Sequence, residues 1–139
     1  MRKRKFIFLM FLAPAILLNQ GKIHANPSRF VYLRSSETIT QKGRASWYSE
    51  QSPGINERTA NNEVFNDSAL TAAMWEVPFD QRVKVTNVEN GKSVIVRIND
   101  RGPHRRYVAN GRIIDLTKQA FSRIASLEKG LIQIELEIL

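Results

Sequence analysis

Asp100 occupies the position best suited to proton chemistry. It follows the apolar run Val94, Val96 and Ile98 directly and precedes Arg101-Gly102-Pro103. A carboxyl at such a strand-to-loop exit is partly buried, and burial favours its neutral, proton-donating form. That is the group a general-acid step needs. Arg101 pulls the other way if it pairs with Asp100. The same carboxylate can also serve by binding backbone amides and fixing the loop. Glu63 is the second carboxyl, within Thr59-Ala60-Asn61-Asn62-Glu63-Val64-Phe65. By composition alone it reads as an exposed loop glutamate.

Other chemistries are excluded by what is missing. The chain has no cysteine, so it has no disulfide, no zinc-thiolate site and no thiol nucleophile. Lipidation at an N-terminal cysteine is excluded for the same reason. His104 is the sole histidine after position 25 and reads as a solvated loop residue; only scattered carboxylates remain, so no metal site and no cofactor is expected.

The elements that must hold Asp100 follow from patterning. Arg44 to Ser49 reads as a first strand with aromatic content. Ser52-Pro53-Gly54 and Asn61-Asn62 mark turns, and Leu70 to Ala73 is a short apolar strand. Arg82 to Thr86 alternates polar and apolar, and so does the run from Ser93 to Ile98. Between them Asn90-Gly91 predicts a two-residue hairpin turn, since both residues tolerate positive φ. A loop is expected from Asn99 to Gly111, with Ile113 and Ile114 leading into Asp115. Thr117 can cap a helix whose apolar residues are Ala120, Phe121, Ile124, Ala125 and Leu127, ended by Gly130. Ile132, Ile134, Leu136 and Ile138 then form one face of a last strand. About six short strands and one helix make a mostly β domain, and a small barrel disposes of its strand edges.

The 139 residues suit one domain, with 42% hydrophobic residues and 24% charged. The net charge of +8 is unevenly spread: residues 1–25 hold five of the 21 basic residues and no acid, leaving 16 basic against 13 acidic. That balance suits an anionic polymer without demanding one. No basic helix or interleaved aromatic patch points to nucleic acid. Arg2-Lys3-Arg4-Lys5 followed by the apolar run Phe6 to Leu18 reads as a signal peptide over residues 1–25, with Ala25 before the cut. The run is short for a bilayer span and contains Pro14, so no stable span is expected after its removal. An uncleaved anchor is the alternative, and either way the rest of the chain is expected across the membrane, in the periplasm or cell envelope. Residues 26–42 read as a linker or N-terminal extension, and 43–139 as the domain.

Several ordered motifs carry a family resemblance. Gly43-Arg44-Ala45-Ser46-Trp47-Tyr48, the Thr59–Phe65 segment, Leu70-Thr71-Ala72-Ala73, Val83-Lys84-Val85-Thr86-Asn87, Val96-Arg97-Ile98-Asn99-Asp100-Arg101-Gly102-Pro103 and Arg112-Ile113-Ile114-Asp115-Leu116 resemble, in this order, the rare lipoprotein A (RlpA) family. The resemblance spans about Gly43 to Ile138. It implies a six-stranded double-psi β-barrel with one short helix. It also implies lytic transglycosylation of peptide-stripped peptidoglycan. In that reaction the 6-hydroxyl of N-acetylmuramic acid attacks its own anomeric carbon, releasing N-acetylglucosamine and leaving a 1,6-anhydro end. Asp100 and Glu63 then stand as the catalytic carboxyls, Asp100 as the acid and Glu63 orienting the sugar or facing positive charge. Asn66, Met74, Asn99, Arg101, Trp47 and Tyr48 stand as substrate-binding residues. Trp75 and Tyr107 are further stacking candidates, and Arg44, Arg97 and Arg105 candidates for muramyl carboxylates. The family usually has aspartate where this chain has Asn66 and histidine where it has Met74. Asn66 keeps hydrogen-bonding capacity without charge, and Met74 keeps neither.

Three functions compete on this reading: a lytic transglycosylase (a carbon–oxygen lyase) acting on glycan strands, a catalytically weak or inactive peptidoglycan-binding module, and an envelope or division-site scaffold binding other envelope proteins.

Overall fold

A computed structural model describes residues 38–139. The expected signal segment and most of the expected linker lie outside the described residues. Six strands form: β1 (Thr40–Tyr48), β2 (Thr71–Met74), β3 (Arg82–Asn87), β4 (Ser93–Asp100), β5 (Arg112–Thr117) and β6 (Leu131–Ile138). Strand β1 therefore takes in positions 40–42, ahead of the expected domain start. The strands close into a barrel in the order β1-β5-β2-β4-β3-β6. Strands β1 and β5 run parallel, as do β2 and β4, and every other pair is antiparallel. Closure leaves no long strand edge unpaired, as the patterning requires.

The alternation read from the sequence sets the core. Val83 and Val85 of β3, Val94, Val96 and Ile98 of β4, and Ile132, Ile134 and Leu136 of β6 all turn inward and are buried. Ala45, Ala72, Ile114 and Leu116 complete the interior from the other three strands. The helix α2 (Lys118–Ser122) is shorter than expected. Phe121 and Ile124 still pack on the core from its end, and Leu127 begins a separate 3-10 turn, Leu127–Lys129. Thr117 caps α2 as its residue type suggests, accepting from the Ala120 amide. Its hydroxyl also donates to the Ala69 carbonyl at 2.6 Å, tying the helix start to the segment before β2.

The β3–β4 hairpin forms, but its turn differs from the two-residue type. Asn87 and Lys92 close the hairpin, and four residues, 88–91, lie between them. Gly91 takes positive φ (72°), whereas Asn90 does not. The physical reason lies in what the longer turn reaches. Asn87 and Asn90 both donate side-chain hydrogen bonds of 2.9 Å to the Ile124 carbonyl, and so satisfy the end of the helical segment. The expected loop after β4 also contains one short helix, α1 (Arg105–Val108), started by His104.

Candidate active site

The groove is built from the row of residues that faces away from the core. On β2, Ala72 pairs with Ile98 of β4 and Leu116 of β5, and all three belong to the core. The next residue, Ala73, pairs with Asp100 on one side and Asp115 on the other. Neighbours along a strand face opposite ways, so Asp100, Ala73 and Asp115 rise together on the outer face. The register of β2 against β4 slips by one residue here, which leaves Asn99 as an extra residue opposite β2. Without that bulge, Asp100 would continue the inward series Val94, Val96 and Ile98.

Residues 49–70 cross over this face and wall it off. Together with the β4–β5 loop they enclose a groove of about 460 Å³ lined by Tyr48, Arg58, Ala73, Asp100, His104 and Asp115, among others. Phe65 stacks on Tyr48 with ring centroids 4.8 Å apart and forms a small second apolar cluster with it and Ala73. The Tyr48 hydroxyl is buried and has no hydrogen-bond partner. Burial pushes its pKa up, and the charges of Asp100 and Asp115 push in the same direction. The phenol is therefore a neutral donor on a residue that lines the groove with both aspartates.

Asp100 is held by backbone. Its Oδ1 accepts from the Ala60 amide at 2.9 Å and from the Arg101 amide at 2.8 Å. The Arg101 guanidinium turns away from that carboxylate. It lies 3.7 Å from the centroid of the Phe79 ring and donates to the Met74 carbonyl at 3.0 Å. The Asp115 side chain is 14% exposed and takes one bond, from Arg112 Nε at 2.6 Å. Burial raises its pKa; Arg112 opposes this, and the negative charge of Asp100 adds to the rise.

Glu63 has a different setting. Arg97 donates to its two oxygens at 2.8 Å each, Asn99 donates at 3.0 Å and Asn61 at 2.9 Å. These hydrogen bonds, Arg97 first, hold its carboxyl down at about 2. Glu63 thus pins the 59–63 turn to the outer face of β4, beside the amide that holds Asp100, without itself lining the groove.

The double-psi β-barrel family described as lytic transglycolase matches residues 40–136. The chain belongs to the RlpA family. A probable endolytic peptidoglycan transglycosylase RlpA from Synechocystis is 50% identical over 97 residues, covering 69% of this chain and 28% of the relative. The endolytic peptidoglycan transglycosylase RlpA of Vibrio cholerae is 37% identical over 107 residues, covering 77% and 38%. The chain thus spans well under half the length of these RlpA relatives. Among solved structures, a Streptomyces papain inhibitor has a TM-score of 0.57 over 73% of this chain and 94% of its own, at 20% identity. An expansin from Clavibacter michiganensis, solved with cellohexaose, has a TM-score of 0.53 over 73% and 50%, also at 20% identity. Both share the fold.

Against the RlpA pattern, the groove gathers Asp100, Tyr48 and Arg101 of the residues singled out in the sequence. The others lie elsewhere. Met74 is 2% exposed within the main core. Trp47 packs on that core, and its Nε1 donates to the Leu127 carbonyl at 3.1 Å. Asn99 is buried and spends its amide on Glu63. Asn66 uses its side-chain oxygen on the Ser68 amide at 2.9 Å. Trp75 donates to the Pro103 carbonyl at 2.7 Å, and the Arg105 guanidinium lies 4.9 Å from the centroid of its ring. Sequence reading did not single out Asp115, which the groove also contains, and the exposed loop position expected for His104 is where it lies, at the edge of the same groove. The signal for Asp115 was an unpaired-looking acid two residues beyond Ile113 in an apolar stretch.

Proposed function

We propose that this domain cleaves the bond between N-acetylmuramic acid and N-acetylglucosamine in peptide-stripped peptidoglycan, leaving 1,6-anhydro ends. The observation that carries this reading is the placement of Asp100, rigidly held by two amides, in an open groove of a chain that belongs to the RlpA family. The names of its relatives support peptidoglycan as substrate. Peptidoglycan lies outside the inner membrane, so the signal-like segment at residues 1–25 and this substrate point the same way, to export and work in the cell envelope.

The reaction needs a proton on the leaving oxygen, a negative group facing the charge that develops at the anomeric carbon, and a pocket that holds the muramyl 6-hydroxyl near that carbon. A carboxylate that accepts two backbone bonds is an acceptor held in one orientation, which suits Asp100 to face developing positive charge. Tyr48 and Phe65 give the sugar an apolar wall, and Arg58 and His104 supply polar partners at the rim. Glu63 serves as a positioning residue that holds the turn carrying the Ala60 amide.

A second reading, a peptidoglycan-binding module, is favoured by the engagement of Glu63 in its ion pair and the burial of Met74. The deciding experiment is incubation with peptide-stripped glycan strands and mass analysis of the products. The enzymatic reading expects anhydro ends from the native protein and their loss in Asp100→Asn. Strand binding without any anhydro product would leave the module.

A further inference from the structure

Resting on the glycan-cleaving reading above, we propose that Asp115 is the proton-donating carboxyl of this groove and that Asp100 is its anionic partner across Ala73. The barrel register sets the geometry. Asp100 and Asp115 are each paired with Ala73, so their Cα atoms stand two strand spacings apart, about 10 Å. Both side chains line the same groove on either side of Ala73, with Gly102 of the β4–β5 loop close by. A Cα separation of that size lets two side chains reach the roughly 5–9 Å between carboxyls that straddle a glycosidic bond.

The surroundings of Asp115 fit the role. Arg112, on its own strand, binds Oδ1 and leaves Oδ2 for the groove. Gly102 of the β4–β5 loop passes close to Oδ2: a Cβ added there would stand 3.7 Å from that oxygen and 3.3 Å from the Ala73 methyl. The titratable and charged groups lining the same space are Asp100, Tyr48 of β1, Arg58 of the covering segment, and Arg101 and His104 of the β4–β5 loop. The Tyr48 hydroxyl is a buried donor with no partner, and a sugar oxygen between the two carboxyls would give it one. Burial, with a smaller push from the charge of Asp100, raises the Asp115 pKa above that of a free aspartate against the pull of Arg112.

The step balances without water. The Asp115 proton passes to the glycosidic oxygen as the C1–O bond breaks, and the leaving N-acetylglucosamine keeps the bonding electron pair. Positive charge at C1 faces the Asp100 carboxylate. The muramyl 6-hydroxyl oxygen then bonds to C1, and its proton returns to Asp115. The acid ends as it began.

The test uses the full chain and peptide-stripped glycan strands, with anhydro ends counted by mass. Asp115→Asn is expected to lose roughly 100-fold in anhydro ends while still sedimenting with intact strands. Asp115→Ala is expected to regain product when formate is added, which a purely structural aspartate would not allow. Activity of Asp115→Asn within about threefold of native overturns the proposal and leaves the glycan-cleaving reading standing. Failure of formate to restore Asp115→Ala also overturns it. No anhydro ends from the native protein would sink the reading and the proposal together.

Discussion

Arg97 grips both carboxylate oxygens of Glu63, each at 2.8 Å. The pair ties residues 59–63 to strand β4 and so sets the amide that orients Asp100. Its contribution to stability depends on Glu63 being ionised. The folded value, about 2, lies below the ordinary 4.5. The stabilisation is therefore fully present above pH 4.5 and is lost as pH falls through 2. The pair is well exposed to solvent, with Glu63 at 40%, which screens it and reduces its worth to about 1 kcal/mol. Urea unfolding should find Glu63→Gln less stable by that amount at pH 7, with the gap closing as pH falls through 2. A gap that does not shrink between pH 4.5 and 2 would show that the ion pair is not its origin.

Tyr48→Phe removes a hydroxyl that is buried without a partner. No protein bond is lost, so thermal stability should stay level or rise slightly. Release of anhydro ends should fall about tenfold, since a bound sugar loses a donor worth about 1.4 kcal/mol. Unchanged product release would remove Tyr48 from the groove's working set.

Trp47 tests the opposite case. Its indole donates to the Leu127 carbonyl and packs on the core. Trp47→Phe should cost about 1 kcal/mol in denaturant unfolding and leave turnover on glycan strands unchanged. A raised KM with unchanged stability would return Trp47 to the sugar site.

Met74→Ala should cost about 3 kcal/mol, the range for a buried methionine emptied to alanine. The side chain is 2% exposed and has no water to fall back on. A loss under 1 kcal/mol in calorimetry would mean that the core collapses around the gap.

Much of the barrel was legible in the sequence because its inward residues are apolar and alternate with period two. Val83 and Val85, Val94 to Ile98, and Ile132 to Leu136 follow that pattern and lie where it puts them. The Thr117 cap was legible because a hydroxyl before a helical apolar run has one local use. The Asn90-Gly91 turn was misjudged because two asparagines in that region serve a distant carbonyl, that of Ile124, which local turn chemistry cannot reveal. The site was harder. The place of Asp100 at a strand exit was legible, but its neighbour Asp115 lies 15 residues on and meets it only through the pairing of β4, β2 and β5. Trp47 and Tyr48 are adjacent in sequence and serve opposite faces of the same strand, and residue type alone does not say which one meets a ligand.

The extra residue at Asn99 has a consequence for how such a site is inherited. Strand β4 runs in one phase up to Ile98 and in the other from Asp100 onward. Pairing β4 with β2 in straight register, with Asn99 opposite Ala73, would keep every groove residue in the chain and send the Asp100 carboxyl toward Ile98 and Leu116, where a charge has no partner. Two chains could then agree at every chemically active letter, share the barrel, and differ in whether they have a pocket. The register of β4 against β2 is part of the site in the same sense as the aspartate itself.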